Sequence, residues 1–210
     1  MEYEVSIRIL FPEAVSGVLK KEKDRFVAEY GSGYKSEPHI TLYLDRYTQD
    51  GFPKLMNDLR GLRIEPFTIS LLKPEVRREE DRHRNLYVVD VSNKERVQEL
   101  YDKISGIAVQ YRSPLLRSKV QRRLEQEGVR TDGTRESLRD AFLTEAFAPH
   151  ITLGEVGIDD PQPDLTDVQK NLEGLDGQEI TVSNLAIFFY GKEDGNEKFK
   201  LIEKVVVPLS

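Results

Sequence analysis

Two histidines stand in identical surroundings in this chain. Pro38-His39-Ile40-Thr41-Leu42 recurs unchanged as Pro149-His150-Ile151-Thr152-Leu153, and these copies hold two of the three histidines present. An imidazole titrates near neutrality, so one such group can take up a proton while another gives one away. A threonine hydroxyl can donate a hydrogen bond to an oxygen that gathers negative charge. Together these groups suit displacement at a phosphoester. One imidazole takes a proton from the attacking oxygen, the other protonates the leaving oxygen, and the hydroxyls hold the non-bridging oxygens. Each proton transfer of this kind is worth about 10²–10⁴-fold in rate. The chemistry calls for no metal or cofactor, and neither a cysteine nor a carboxylate–histidine cluster at ligand spacing offers a metal site.

A strand is the element that positions such groups. Each copy lies in a β-branched, apolar run, and strand side chains alternate faces. His39 and Thr41 therefore point one way and Ile40 and Leu42 the other; His150 and Thr152 do the same in the second copy. A lone strand histidine is ordinarily a satisfied core or edge residue. An inward His and Thr cost stability unless partnered or solvated, and finding that cost twice points to a shared cleft.

The surrounding order is also repeated. Tyr3 to Leu10 alternates as a strand, Pro12-Glu13 opens a helix, and Gly31-Ser32-Gly33 ends it before the first motif strand, about 38–44. A short helix over 52–59 and a strand over 67–72, closed by Pro74, complete the unit; 75–85 reads as a charged loop. The order returns with a strand over 86–91, a helix capped by Ser92 or Asn93, the motif strand over 148–155, a helix over 164–172 and a strand over 179–190. A last strand over 199–208 closes a hairpin. One bilobal domain over 1–210 is expected, with a first repeat unit of about 3–72 and a second of about 86–190. Its motif strands should meet across a pseudo-twofold cleft. A helical insertion over about 111–147 either packs outside the second lobe, carries its arginines to the cleft as a lid, or is partly disordered.

Composition bounds the partners. The 210 residues are 38% hydrophobic and 32% charged, with a net charge of −6, which argues against binding nucleic acid through a broad basic face. A local arginine cluster can still bind a small phosphate-bearing substrate. Basic residues gather at Arg77, Arg78, Arg82 and Arg84, and again at Arg112, Arg117, Lys119, Arg122 and Arg123. Of these, Arg117, Arg122 and Arg123 are candidates to neutralise phosphate charge. Tyr43, on the face of His39 and Thr41, and Tyr190, in the run Phe188-Phe189-Tyr190, are candidates to line the cleft or stack on a base. His83 reads as a solvated loop residue. With no apolar run long enough to span a bilayer and acidic residues at the N-terminus, a cytoplasmic protein without a membrane or an obligate protein partner is expected.

Paired His-x-Thr motifs in strand-helix-motif strand order resemble the 2H phosphoesterase superfamily, in its 2′-5′ RNA ligase-like or 2′,3′-cyclic phosphodiesterase branch. The resemblance covers most of the chain outside the insertion. It implies an α+β, bilobal fold with antiparallel sheets around a central cleft, and a quartet of His39, Thr41, His150 and Thr152. It also implies metal-independent chemistry on a nucleotide or RNA end bearing a 2′,3′-cyclic phosphate or a 2′-5′ linkage. The chain departs from the pattern at Gly154-Glu155, where a basic or aromatic residue is expected after the second motif. Hydrolysis of cyclic phosphates, 2′-5′ ligation or cleavage, and a nucleotide- or RNA-end-binding module with weak catalysis are the functions this sequence allows.

Overall fold

The structure, a computed structural model, describes residues 2–48, 50–111, 148–192 and 200–209. The helices expected within the insertion, with Arg112, Arg117, Lys119, Arg122 and Arg123, lie outside the described residues. Strand β1 (Glu2–Leu10) leads through Pro12 into helix α1 (Glu13–Tyr30). Gly31 closes α1 at φ 68°, with its N–H on the Phe26 carbonyl, a left-handed position that glycine takes without a Cβ penalty. Next come β2 (His39–Thr48), α2 (Gly51–Arg60), β3 (Phe67–Glu79), β4 (Arg84–Val91) and α3 (Lys94–Ala108). Beyond the insertion lie β5 (His150–Gly157), α4 (Leu165–Asn171), β6 (Glu179–Val182), β7 (Asn184–Lys192) and β8 (Lys200–Pro208). The Asp164 carboxylate caps α4 by accepting from Thr166 N–H, whereas Asn93 precedes α3 without capping it and donates instead to the Thr68 carbonyl.

The strands form one antiparallel sheet in the order β6-β3-β4-β5-β2-β1-β7-β8. The motif strands β2 and β5 meet at its centre through a single pair, Ile40 opposite Ile151. Outward from that seam the halves match, β2-β1-β7-β8 against β5-β4-β3-β6, so the third strand of each repeat lies in the opposite half. The helices follow the same exchange: α1 packs on β5 and α3 on β2. Their apolar residues, among them Leu19, Phe26, Leu55, Leu100 and Val168, join Ile40 and Ile151 in one core, so the helices cover one face of the sheet. The fold is α+β, as expected. None of the described helices is long and apolar enough to cross a membrane.

Three local features differ from expectation. The run 179–190 breaks at Ser183, which alone separates β6 on one flank from β7 on the other. One residue spans at most about 3.6 Å, so the sheet curls until its flanks nearly meet; Leu209 N–H donates to the Ser183 carbonyl there. Second, β3 does not close at Pro74 but runs to Glu79 and pairs with β4. The proline sits at a bulge, where Leu72 and Lys73 together oppose Asp90 and no proline N–H is needed. Residues 75–79, Val76 included, are exposed or half-buried and carry no apolar period to read.

Third, both motif strands carry a bulge one residue after the threonine. Leu42 is the extra residue in β2 and Leu153 in β5. A bulge re-aims the side chains that follow it, so Tyr43 and Gly154 turn into the helix-covered core. Gly154 meets the Phe26 ring so closely that an added Cβ would overlap it. Overpacking of that kind costs about 1–3 kcal/mol, so Gly154→Ala lowers the denaturant midpoint at unchanged slope. Gly174→Ala, where a Cβ meets nothing within 4 Å, leaves the midpoint nearly unmoved.

Candidate active site

The open face of the seam carries the two His-x-Thr pairs. With Ile40 opposite Ile151 in an antiparallel pair, His39 stands across from Thr152 and Thr41 across from His150. The two histidines sit diagonally across the seam, close enough that His150 is among the groups that lower His39. His39, His150 and Thr152 are half-buried and Thr41 is exposed.

The same local device orients both imidazoles. His39 Nδ1–H donates to the Glu37 carbonyl at 2.6 Å, and His150 Nδ1–H donates to the Ala148 carbonyl at 2.7 Å. Each bond reaches back two residues and leaves Nε2 as the unprotonated nitrogen. Arg77 Nη1 also lies 3.3 Å from His150 Nδ1, but a guanidinium only donates, so it cannot share a nitrogen that is itself donating. The shorter bond to Ala148 sets the tautomer. Among the described residues no protein group bonds either Nε2 or either threonine hydroxyl. Two acceptors and two hydroxyls therefore converge on one open face.

The charges around the two histidines differ. Burial first, then the Arg8 guanidinium and also Lys23, push His39 down to about 4. Burial lowers His150 as well, and Arg77 adds to this, but the Asp90 and Glu79 carboxylates oppose it. Asp90 is itself held by Lys94 and, at 3.4 Å, by Arg77. Lys23 reaches from α1 to donate to the Thr152 carbonyl at 2.7 Å and is 2% exposed. Ser32 Oγ accepts from Glu155 N–H at 3.2 Å. These two side chains bond the edge of β5 where β2 has diverged from it. Burial first, then Lys20 and Arg8, bring the Lys23 ammonium down to about 8.

Tyr43 does not line this face. The bulge at Leu42 puts it at 5% exposure in the core, where its hydroxyl donates to Asp45. Tyr190 does face the open side and accepts from Arg8 Nη2 at 3.0 Å; Phe188 shares that side, while Phe189 packs on Phe52 in the core. Arg117, Arg122 and Arg123 lie outside the described residues. His83 is exposed and bonds Asp159 at 2.7 Å. Sequence reasoning missed Arg8 and Lys23, and took Arg77 only as one of a basic cluster. Glu155 pairs with Arg84 on the open face. A cavity of about 320 Å³, lined by Leu72, Pro74, Gln169 and Leu172, lies away from all of these. Among the described residues no group of three or more His, Cys, Asp or Glu side chains is placed to hold a metal ion.

Paired His-x-Thr motifs at the seam of a curled antiparallel sheet mark a 2H phosphoesterase. A family model of the 2′-5′ RNA ligase superfamily matches residues 19–194, and the chain belongs to that superfamily. No curated protein matches the chain. Among solved structures it is similar to E. coli LigT complexed with 3′-AMP, at TM-score 0.58 and 10% identity over 99% of each chain. It is also similar to the Thermus thermophilus protein TT0787, at TM-score 0.55 and 16% identity over 97% of each. At these identities the likeness is one of fold.

The titration of His39 carries a sign. The unfolded chain takes the proton near pH 6.5 and the folded chain only near 4, so between those values the unfolded state binds more protons. Stability therefore falls as pH drops through that window, and His39→Asn makes the pH dependence of unfolding shallower there. NMR titration of His39 should give a midpoint near 4, and Lys23→Met, which removes one of the depressing cations, raises it.

Proposed function

We propose that the chain is a phosphodiesterase that opens 2′,3′-cyclic phosphates on nucleotides or RNA ends, with His39 and His150 moving the protons. The observation that carries this is the convergence of two unpartnered Nε2 atoms and two unpartnered hydroxyls, among the described residues, at the Ile40–Ile151 seam. Water attacks phosphorus as one imidazole takes its proton. A new P–O bond forms, the bond to one ribose oxygen breaks, and the second imidazole protonates that oxygen to leave a phosphomonoester. Thr41 and Thr152 donate to the non-bridging oxygens, where charge must be held in the transition state.

The unequal surroundings favour one assignment of the two roles. Both imidazoles are neutral at pH 7 before substrate binds, since both are lowered. An anionic substrate favours protonation of one of them. His150, with Asp90 and Glu79 nearby, holds that proton more readily and serves as the acid, while His39, beside Arg8 and Lys23, remains the base. LigT structures complexed with phosphate, 3′-AMP, NADP+ and ATP support a nucleotide-sized occupant for a cleft of this fold.

The superfamily's name favours a second reading, in which a 5′-hydroxyl replaces water and a 2′-5′ linkage forms at the same centre. A panel of cyclic mononucleotides, RNA with a cyclic end and 2′-5′ oligomers separates the two by product. His39→Ala and His150→Ala should each cut hydrolysis of the preferred substrate by at least about 10²-fold, with the far-ultraviolet spectrum unchanged. Full hydrolysis by the double variant would sink the catalytic reading, and tight binding without turnover at any pH favours a binding module.

A further inference from the structure

The two flanks of the open face are charged differently. On the β3–β4 flank the arginines of this face are answered by carboxylates: Arg77 by Glu75 at 2.7 Å, and Arg84 by Glu79 at 2.6 Å and by Glu155. On the β1–β7–β8 flank, Arg8 and Lys204 pair with no carboxylate among the described residues. Both cations lie on a chain of net charge −6.

Register brings these two cations together. Ser6 opposes Phe188 across β1 and β7, and Phe188 opposes Lys204 across β7 and β8. The Arg8 guanidinium lies 4.4 Å from the Phe188 ring centre and Lys204 Nζ lies 5.3 Å from it. Arg8 is also fixed within its plane: Nε–H donates to Ser6 Oγ at 2.8 Å and Nη2 donates to the Tyr190 hydroxyl at 3.0 Å. A guanidinium has five N–H donors in a rigid fork, so three remain without an acceptor among the described residues. A fork set on a ring and tied at two points loses little freedom when an anion arrives.

We propose that Arg8 and Lys204, on the Phe188–Tyr190 shelf, form a second phosphate subsite beside the reacting centre, so the preferred substrate carries a further phosphate beyond the cyclic one. The subsite presupposes the phosphodiester chemistry proposed for the histidines, and it gives the cleft a direction. The cyclic end lies at the seam and the rest of the nucleotide runs toward β7 and β8.

The test compares adenosine 2′,3′-cyclic phosphate with the same compound bearing a 5′-phosphate. The 5′-phosphate should raise kcat/KM by about tenfold, the scale of a charge-assisted hydrogen bond, with the gain shrinking as salt rises. Arg8→Met and Lys204→Met should bring that ratio toward one, and the exposed Lys204 serves the purpose if Arg8→Met fails to fold. Equal kcat/KM for the two compounds in the unsubstituted protein overturns the subsite. If neither compound is turned over, the fault lies with the reaction, and calorimetry decides the subsite separately. Adenosine 3′,5′-bisphosphate should then bind about tenfold tighter than adenosine 3′-monophosphate, an advantage Lys204→Met reduces; equal affinities overturn it.

Discussion

The structure depends on one contact between two strands. Ile40 and Ile151 are the sole pair that joins β2 to β5, and the whole sheet is continuous only through them. Both are fully buried under the helices, so the seam is held from one side by apolar packing and left open on the other. A pair of this kind puts the residues flanking each isoleucine on the open side, and those residues are the histidines and threonines. Placement of the four polar groups and continuity of the sheet are thus one constraint.

What surrounds the seam makes the pair unequal. The bulges at Leu42 and Leu153 let each motif strand show a histidine and a threonine outward and then return two successive residues to the core. Nothing in that device distinguishes the halves. The difference comes from neighbours: Arg8 and Lys23 beside His39, Arg77 with Asp90 and Glu79 beside His150. A backbone with near-twofold order thereby holds two imidazoles in different electrostatic settings.

Much of this was legible in the sequence because it is written locally. The repeated pentapeptide, the proline and glycine bounding α1, and the strand-helix-strand order are short-range signals, and each appears in the fold. Tyr43 was misplaced because alternation assumes an unbroken strand, and the Leu42 bulge is a property of the pairing with β1. The break at Ser183 likewise follows from the curl of the sheet, which no local pattern records. Lys23 left a faint trace: it falls between Leu19 and Phe26 on the buried side of α1, where a lysine is costly without a partner. Its partner, the Thr152 carbonyl, lies 129 positions away. Arg8 sat in plain view on the polar face of β1, but a strand's polar face usually means solvent, and only the sheet order sets it next to β2.

Ser183 ties the two flanks together at the side remote from the seam. With β6 anchored on β3 and β7 on β1, the chain spans the gap of the curled sheet like the string of a bow. The cleft is braced at both limits, by a buried isoleucine pair at its floor and by a covalent link across the far side. Clamshell motion of one half about the seam is opposed by that link, since any widening must stretch or unpair a single-residue tie. Discrimination among ligands in such a frame falls to the side chains that line it.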